Sequence, residues 1–392
     1  MTRVAMFIHG GIVPPASTES VPALCALVDA LSVSCDVTVY TTVGPDGRDA
    51  PFHAGKALVK FVRARQDDSP LRRALATSRA FLADRRREPY DLVHGFWGLP
   101  GGLAAVVAAR MAGLPAVVTL LGGEAAALRS IGYGNMRTAP GRALTLRVCR
   151  DADALTLLTR AQLAGLRRFG FEREEGVYVI PFGADAALFP PVNAFPPAPP
   201  FQFLHVGHIN RVKDQATLLR AFRSVRAEID CRLRIVGEDT LGGSLQALAR
   251  ELGVAHDVTF TGYADHGSLG AHFARAHLLI HTSLYEGEGV VFAEAASSGL
   301  PICGTEVGLC ADLGPAFATT VPPGEPARLA GAILGLLRDP GAMERQRAHA
   351  LAWAHAHTPA WTAGQFTRIY GELAGGTHSP RALPEAAWSP PA

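Results

Sequence analysis

The sequence predicts an α/β protein built from two doubly wound domains, and three observations carry that expectation. At 392 residues the chain is too long for one ordinary core and suits two domains of roughly 100–200 residues each. Short apolar runs alternate with amphipathic segments rich in Ala, Leu and Arg along nearly all of it, the pattern of strand–helix–strand units around parallel sheets. That alternation is interrupted by PPVNAFPPAPP (190–200), where proline density forbids helix and sheet and favours an extended connector.

In the first half, strands are expected near 3–9, 36–42, 56–63, 91–95, 115–121, 154–158 and 177–180. Helices are expected near 18–33, 70–86, 100–112, 139–150 and 159–169. After the connector the alternation restarts at FQFLHVG (201–207), with further strands near 232–236, 257–261, 277–282, 300–304 and 317–321. A helix follows over 341–356, and Thr358-Pro359 breaks it. The last helix then places Trp361, Phe366, Ile369 and Tyr370 at helical spacing. The expected layout is therefore a first domain over 1–189, a linker over 190–200, a second domain over 201–358, a helix over 359–376 and a disordered Pro-rich tail over 377–392.

Composition narrows the function classes. Apolar residues make up 48% and charged residues 18%, so the chain has material for cores and is not a disordered polyelectrolyte. Lys+Arg 37 against Asp+Glu 35 leaves +2 with no long basic block, which argues against nucleic acid as the main partner. Six cysteines without C-x-x-C spacing argue against both a zinc site and a disulfide framework. Residues 1–11 read as a buried first strand, not a signal peptide, and the apolar stretch 111–121 is too short to span a bilayer. The expected location is the cytoplasm. The Arg-rich helix LRRALATSRAFLADRRR (71–87) adds the expectation of a peripheral contact at the inner face of the membrane, beside the plainer reading of a solvated face.

The chemistry concentrates in HTSLYEGEGVVFAEAASSGLPI (281–302). Glu286 sits in the loop after a strand, Gly287 and Gly289 leave backbone N–H groups unobstructed, and a helix opening near Gly289 and Val290 carries Glu294 on its second turn. A helix N-terminus rising from glycine-rich backbone suits an anion, because its first amides lack partners and the dipole favours negative charge. Carboxylates on both sides of it suit hydroxyls, so a nucleotide sugar fits the pattern. Solvated loop charges on a generic turn are the plainer alternative.

FLHVGHINRVKDQATLLRAF (203–222) adds a second strand end, at Gly207, followed by Lys213 just before a helix. Lysine occurs only at 56, 60 and 213 in this arginine-rich chain, and a positive charge at a helix start opposes the dipole, so a phosphate contact is expected of Lys213.

Gly207-His208-x4-Lys213, Glu286-x7-Glu294 with Ala295 and Gly299-x-Pro301, and VIPFGADAALFPP (179–191) together resemble the retaining glycosyltransferases of family 4. The resemblance runs from HGG (9–11) through DLVHGFWG (91–98) to the helix around Trp361. It implies the GT-B fold, two Rossmann-like domains facing across a cleft with the last helix packing back on the first. It also implies that Lys213 binds the donor diphosphate, Glu294 the ribose and Glu286 the transferred sugar. Glu286 and Lys213 are thus the expected catalytic pair, with Gly11, Gly207, His208, Gly287, Gly289 and Val290 as further donor contacts. Three positions depart from the family pattern: His208 replaces a usual Arg, Glu288 stands where an aromatic is common, and Leu121 where a His is common. Glu124 or His94 is the expected substitute for that missing polar contact, and Gly123 is a further expected sugar or acceptor contact.

The activity so implied is transfer of a sugar from a UDP-, GDP- or ADP-sugar to a glycan, lipid or small-molecule acceptor. No cofactor is expected, and the lack of a D-x-D pair at a strand end points to metal independence. A nicotinamide dehydrogenase is excluded by the lack of G-x-G-x-x-G between strand and helix. A non-catalytic sugar-nucleotide-binding protein and a nucleotide-sugar epimerase are the alternatives. Donor base, sugar, acceptor and oligomeric state are not written in these motifs.

Overall fold

The computed structural model describes residues 1–12, 21–42, 50–64, 68–192 and 194–376, so the tail expected over 377–392 lies outside the described residues. The chain forms two compact units. One holds Met1–Phe182 together with residues 359–376, and the other holds Gly183–Thr358. The division thus falls ahead of the Pro-rich segment at 190–200, which is tied into the second unit. There Val192 donates its N–H to Ser298 O and accepts from Arg347, and the Pro196 carbonyl meets His277 Nε2 at 2.9 Å.

In the first unit the chain runs β1 (Thr2–Phe7), α1 (Pro22–Leu31), β2 (Cys35–Thr41), β3 (Phe52–Ala54), β4 (Ala57–Phe61), α2 (Pro70–Asp84), β5 (Leu92–Phe96), α3 (Leu103–Ala112), β6 (Ala116–Leu120), α4 (Ala139–Asp151), β7 (Ala154–Leu157), α5 (Arg160–Arg167) and β8 (Val177–Val179). Its sheet has the order β3-β4-β2-β1-β5-β6-β7-β8. Neighbouring strands are parallel except β3, which folds back antiparallel on β4. The sequence missed β3: three residues at a sheet edge, turned on Gly55 with φ +56°, are too few to show a period. The strands read as continuous apolar runs because both faces are covered. Ala5 and Phe7 point into a core with Tyr40 and Phe81, while Val4 and Met6 point into another with Leu24 and Val39.

The second unit continues as β9 (Phe201–Val206), α6 (Gln215–Arg226), β10 (Cys231–Val236), α7 (Ser244–Glu251), β11 (Val258–Gly262), α8 (His266–Phe273), β12 (Leu278–His281), α9 (Val290–Ser298), β13 (Ile302–Thr305), α10 (Gly308–Leu313), β14 (Thr319–Val321), α11 (Pro326–Arg338) and α12 (Pro340–Ala356). The parallel sheet has the order β11-β10-β9-β12-β13-β14, so the winding reverses between β9 and β12.

The last helix, α13 (Pro359–Ala374), belongs to the first unit. Ala363, Phe366, Ile369 and Tyr370 complete the core that contains Val4 and Met6. Tyr370 also reaches a buried polar chain: its hydroxyl lies 2.6 Å from His94 Nδ1, His94 Nε2 lies 2.6 Å from Thr119 Oγ1, and Thr119 meets Thr156 at 2.5 Å. Among the described residues no helix is long and apolar enough to cross a membrane.

His94 and His205 are both fully buried, and burial holds each imidazole down at about 3. The unfolded chain takes up those protons near the ordinary value of about 6.5, so their contribution to stability is complete above that pH and shrinks as pH falls toward 3. Thermal melts should therefore show a decline in melting temperature that begins between pH 7 and 6, before carboxylates titrate. A melting temperature that stays flat from pH 7 to 5 would refute this assignment.

Candidate functional site

A parallel sheet brings the carboxyl ends of its strands to one edge, and loops leaving β9 and β12 turn to opposite sides where the winding reverses. The loop after β9 is shaped by its own polar side chains. Asn210 Oδ1 accepts the amides of Val212 and Lys213, each at 3.0 Å, and Asp214 caps α6 by accepting from Thr217 N and Oγ1. The loop after β12 is stitched to it: Leu284 N donates to Val212 O at 2.8 Å and Thr282 Oγ1 to Lys213 O at 2.9 Å. Between them Lys213 Nζ meets Glu286 Oε1 at 2.6 Å.

Two further donors converge on that oxygen. Ser283 Oγ lies 2.5 Å from Glu286 Oε1 and His281 Nε2 lies 2.9 Å from it. Glu286 is mostly buried, with 12% of its side chain exposed. Burial pushes its carboxyl upward, but the Lys213 charge and the hydrogen bonds outweigh that and hold it well below the usual carboxylate range. The group is therefore a fixed carboxylate.

Beyond Glu286 the chain turns through Gly287 and Gly289 into α9. Gly289 has φ +78°, and a Cβ there would lie 2.4 Å from the Phe292 ring, so only glycine fits. Among the described residues no side chain caps the helix that starts at Val290; Phe292 N turns back to Gly289 O at 2.8 Å, and the amides ahead of it suit an anion. Glu294, buried on the second turn, meets His266 Nε2 at 2.8 Å. Glu288 is not a solvated loop charge: it is buried, and its Oε1 accepts from Gly183 N at 3.2 Å.

The remaining expected site residues distribute unevenly. Gly207 follows β9, and Lys213 Cε would stand 3.4 Å from a Cβ placed on it. His208 is exposed, 3.8 Å from Glu238. In the first unit Gly11 follows β1, where its carbonyl accepts from Val21 N. His94 is corrected to a core histidine, since both ring nitrogens are engaged inside the protein and none of it reaches the surface. Glu124 is likewise internal. Its oxygens accept the amides of Gly98 (3.0 Å), Leu121 (3.3 Å) and Gly122 (2.7 Å), so it shapes the loop after β6 and has little left to offer a sugar. Gly123 packs against the Tyr133 ring, which a Cβ would meet at 2.6 Å.

Sequence reasoning missed His281, Ser283 and His266 as neighbours of the two key carboxylates. His281 and Ser283 lie five and three residues before Glu286, so adjacency was a usable signal. His266 lies 28 residues from Glu294 and had none.

Two family models match the chain, Glycosyl transferase 4-like domain over residues 20–183 and Glycosyl transferases group 1 over 193–353. Among related proteins, a D-inositol 3-phosphate glycosyltransferase from Nocardiopsis dassonvillei is 31% identical over 250 residues, 58% of this chain and 57% of that protein. D-inositol 3-phosphate glycosyltransferase 1 from Catenulispora acidiphila is 29% identical over 304 residues, 70% and 71% of the two chains. The chain thus spans somewhat over half the length of the first relative. In fold it is similar to sucrose-phosphate synthase from Thermosynechococcus elongatus, with TM-score 0.82 at 21% identity over 95% of this chain and 99% of that one. It is also similar to Anabaena HepE in complex with UDP and glucose, with TM-score 0.73 at 17% identity over 95% and 100%. The paired matches and the two parallel-sheet units lead to one assignment: the chain belongs to the family 4, group 1 glycosyltransferases and has the GT-B fold.

Proposed function

We propose that the protein is a retaining, metal-independent glycosyltransferase that draws on a nucleoside-diphosphate sugar. The observation that carries this reading is the meeting of Lys213 and Glu286 at the winding reversal, beside the uncapped start of α9. The donor diphosphate takes Lys213 and the α9 amides, which stabilise charge developing on the leaving phosphate. Glu294, steadied by His266, faces the ribose, and Glu286 faces the sugar being transferred. Complexes of the HepE neighbour with UDP and with UDP-glucose support a uridine donor as the first to try.

The pairing of Lys213 with Glu286 sharpens the test. Lys213→Ala removes a charge-assisted contact worth about 1.5–3 kcal/mol, so calorimetric titration with UDP, GDP and ADP should show roughly 10- to 100-fold weaker binding of the preferred nucleotide. Glu286→Gln frees Lys213 from its carboxylate, so nucleotide binding should hold or tighten while turnover of the intact donor falls. Equal loss of nucleotide affinity in both variants would remove this division of labour. Release of free nucleoside diphosphate without an acceptor product would favour hydrolysis, a donor left intact despite nucleotide binding would favour mere binding, and a donor isomer would favour an epimerase.

Metal independence rests on Lys213 and the helix dipole acting where a cation otherwise would. Turnover should be unchanged by EDTA. Loss with EDTA and recovery with magnesium or manganese would overturn this part of the reading.

A peripheral membrane contact is also proposed, supported by the face of α2 that exposes Leu71 and Leu75 beside Arg72 and Arg79. The protein should co-float with phosphatidylglycerol vesicles and not with phosphatidylcholine vesicles, and Leu71→Ser/Leu75→Ser should abolish the difference. Equal flotation with both lipids would reject it.

A further inference from the structure

The clamp on Glu286 contains more than an ion pair demands. Lys213, His281 and Ser283 all reach the same oxygen, Oε1, at 2.6, 2.9 and 2.5 Å. On the proposed function Lys213 must turn to the donor diphosphate, and a mostly buried carboxylate that loses its cation loses its main electrostatic support. We propose that His281 and Ser283 are positioning residues that hold Glu286 in place and ionised when Lys213 transfers to the diphosphate, leaving Oε2 to meet the sugar. This inference rests on the reading of the site given above and goes beyond it by assigning roles to two residues outside the family motif.

The geometry around His281 fits a fixed neutral donor. The ring is fully buried at the end of β12, stacked on His205 with centroids 5.2 Å apart and met edge-on by Phe292 at 4.8 Å. Among the described residues its Nδ1 has no hydrogen-bond partner. Protonating Nδ1 would bury an N–H with no acceptor, so the neutral ring carries its proton on Nε2, which faces Ser283 Oγ at 2.8 Å and Glu286 Oε1 at 2.9 Å, while Ser283 itself donates to Glu286. Burial lowers the His281 value in the same direction. Ser283 is also fully buried, and its carbonyl accepts from Thr305 Oγ1 at 2.7 Å, which fixes the backbone that aims its hydroxyl. Among the described residues, titratable groups near Glu286 include His205 on β9, held by Ile280 O and Gln215, Cys310 on α10, and Glu288 in the same loop, which is directed to Gly183. None of these donates to Glu286 Oε1.

The test compares His281→Leu, which keeps bulk without a donor, with His281→Gln, whose amide nitrogen lies close to the place of Nε2. The first arm needs no sugar donor: the side-chain carboxyl of Glu286 is titrated by carbon-13 NMR, assigned through Glu286→Gln, with and without saturating inorganic pyrophosphate. In the unaltered protein the carboxyl should remain ionised below pH 4 in both conditions. In His281→Leu the midpoint should rise with pyrophosphate present, to or above the ordinary value of about 4.3, and His281→Gln should reverse the rise. Midpoints that coincide in the unaltered protein and His281→Leu overturn the proposal, as does failure of the unaltered protein to bind pyrophosphate through Lys213. The second arm reads donor turnover with UDP-, GDP- and ADP-glucose. His281→Leu should lower kcat about 10- to 100-fold with KM and nucleotide affinity within about twofold, and His281→Gln should recover most of kcat. Equal kcat loss in both variants, or loss of affinity in step with kcat, overturns the positioning role. Should His281→Leu fail to fold, Ser283→Ala removes one donor from the same oxygen and should show the same split, smaller in size. If no sugar nucleotide is turned over by the unaltered protein, the functional reading fails while the carboxyl titration still decides the clamp.

Discussion

The reversal of winding between β9 and β12 is the constraint on which the second unit's chemistry depends. In a parallel sheet each strand is followed by a crossover, and where crossovers on the two sides part, the loops at the carboxyl ends leave room for a ligand. Lys213 and Glu286 lie 73 residues apart in the chain, yet they are neighbours because one follows β9 and the other β12. Side chains within the loops then refine what the topology allows. Asn210 folds the first loop, Thr282 and Leu284 join it to the second, and α9 adds backbone amides at the same edge.

Burial gives this arrangement its character. A carboxylate that keeps little contact with water must be compensated by charge and hydrogen bonds, and Glu286 has both. The same logic explains polar groups that serve architecture. Glu124 spends its oxygens on three backbone amides, and His94 joins Thr119, Thr156 and Tyr370 in one chain of hydrogen bonds inside the first unit. A polar residue at a strand end is therefore ambiguous until its partners are known. His94 lies within β5 and Glu286 in the loop after β12, and one is packed shut beneath α13 while the other remains partly open.

The scarcity of lysine was an informative cue. Lys60 and Lys213 both make ion pairs, Lys60 with Asp84 and Glu88 and Lys213 with Glu286. The first holds β4 to α2, so rarity marked positions where a flexible cation is useful without distinguishing structure from function. A cation at the start of α6 opposes the helix dipole and needs a negative partner, and in the structure that partner is Glu286.

The alternation of apolar runs with amphipathic segments was enough to determine two parallel α/β units, since a strand buried on both faces and a helix with one apolar stripe have separate periods that local sequence carries. Glycine and carboxylate spacing in 286–299 likewise determined the loop-to-helix turn, because those residues are close along the chain. What only the tertiary structure decided were pairings across long separations. These include the contact of His266 with Glu294, the burial of His94 under a helix that returns more than 250 residues later, and the turning of Glu124 and Glu288 toward backbone amides. The three-residue strand β3 was also invisible, being shorter than any measurable period. Hydrophobic patterning reports which face of an element is covered, but it carries no information on which distant group covers it, and that group decides whether a polar side chain is left for a ligand.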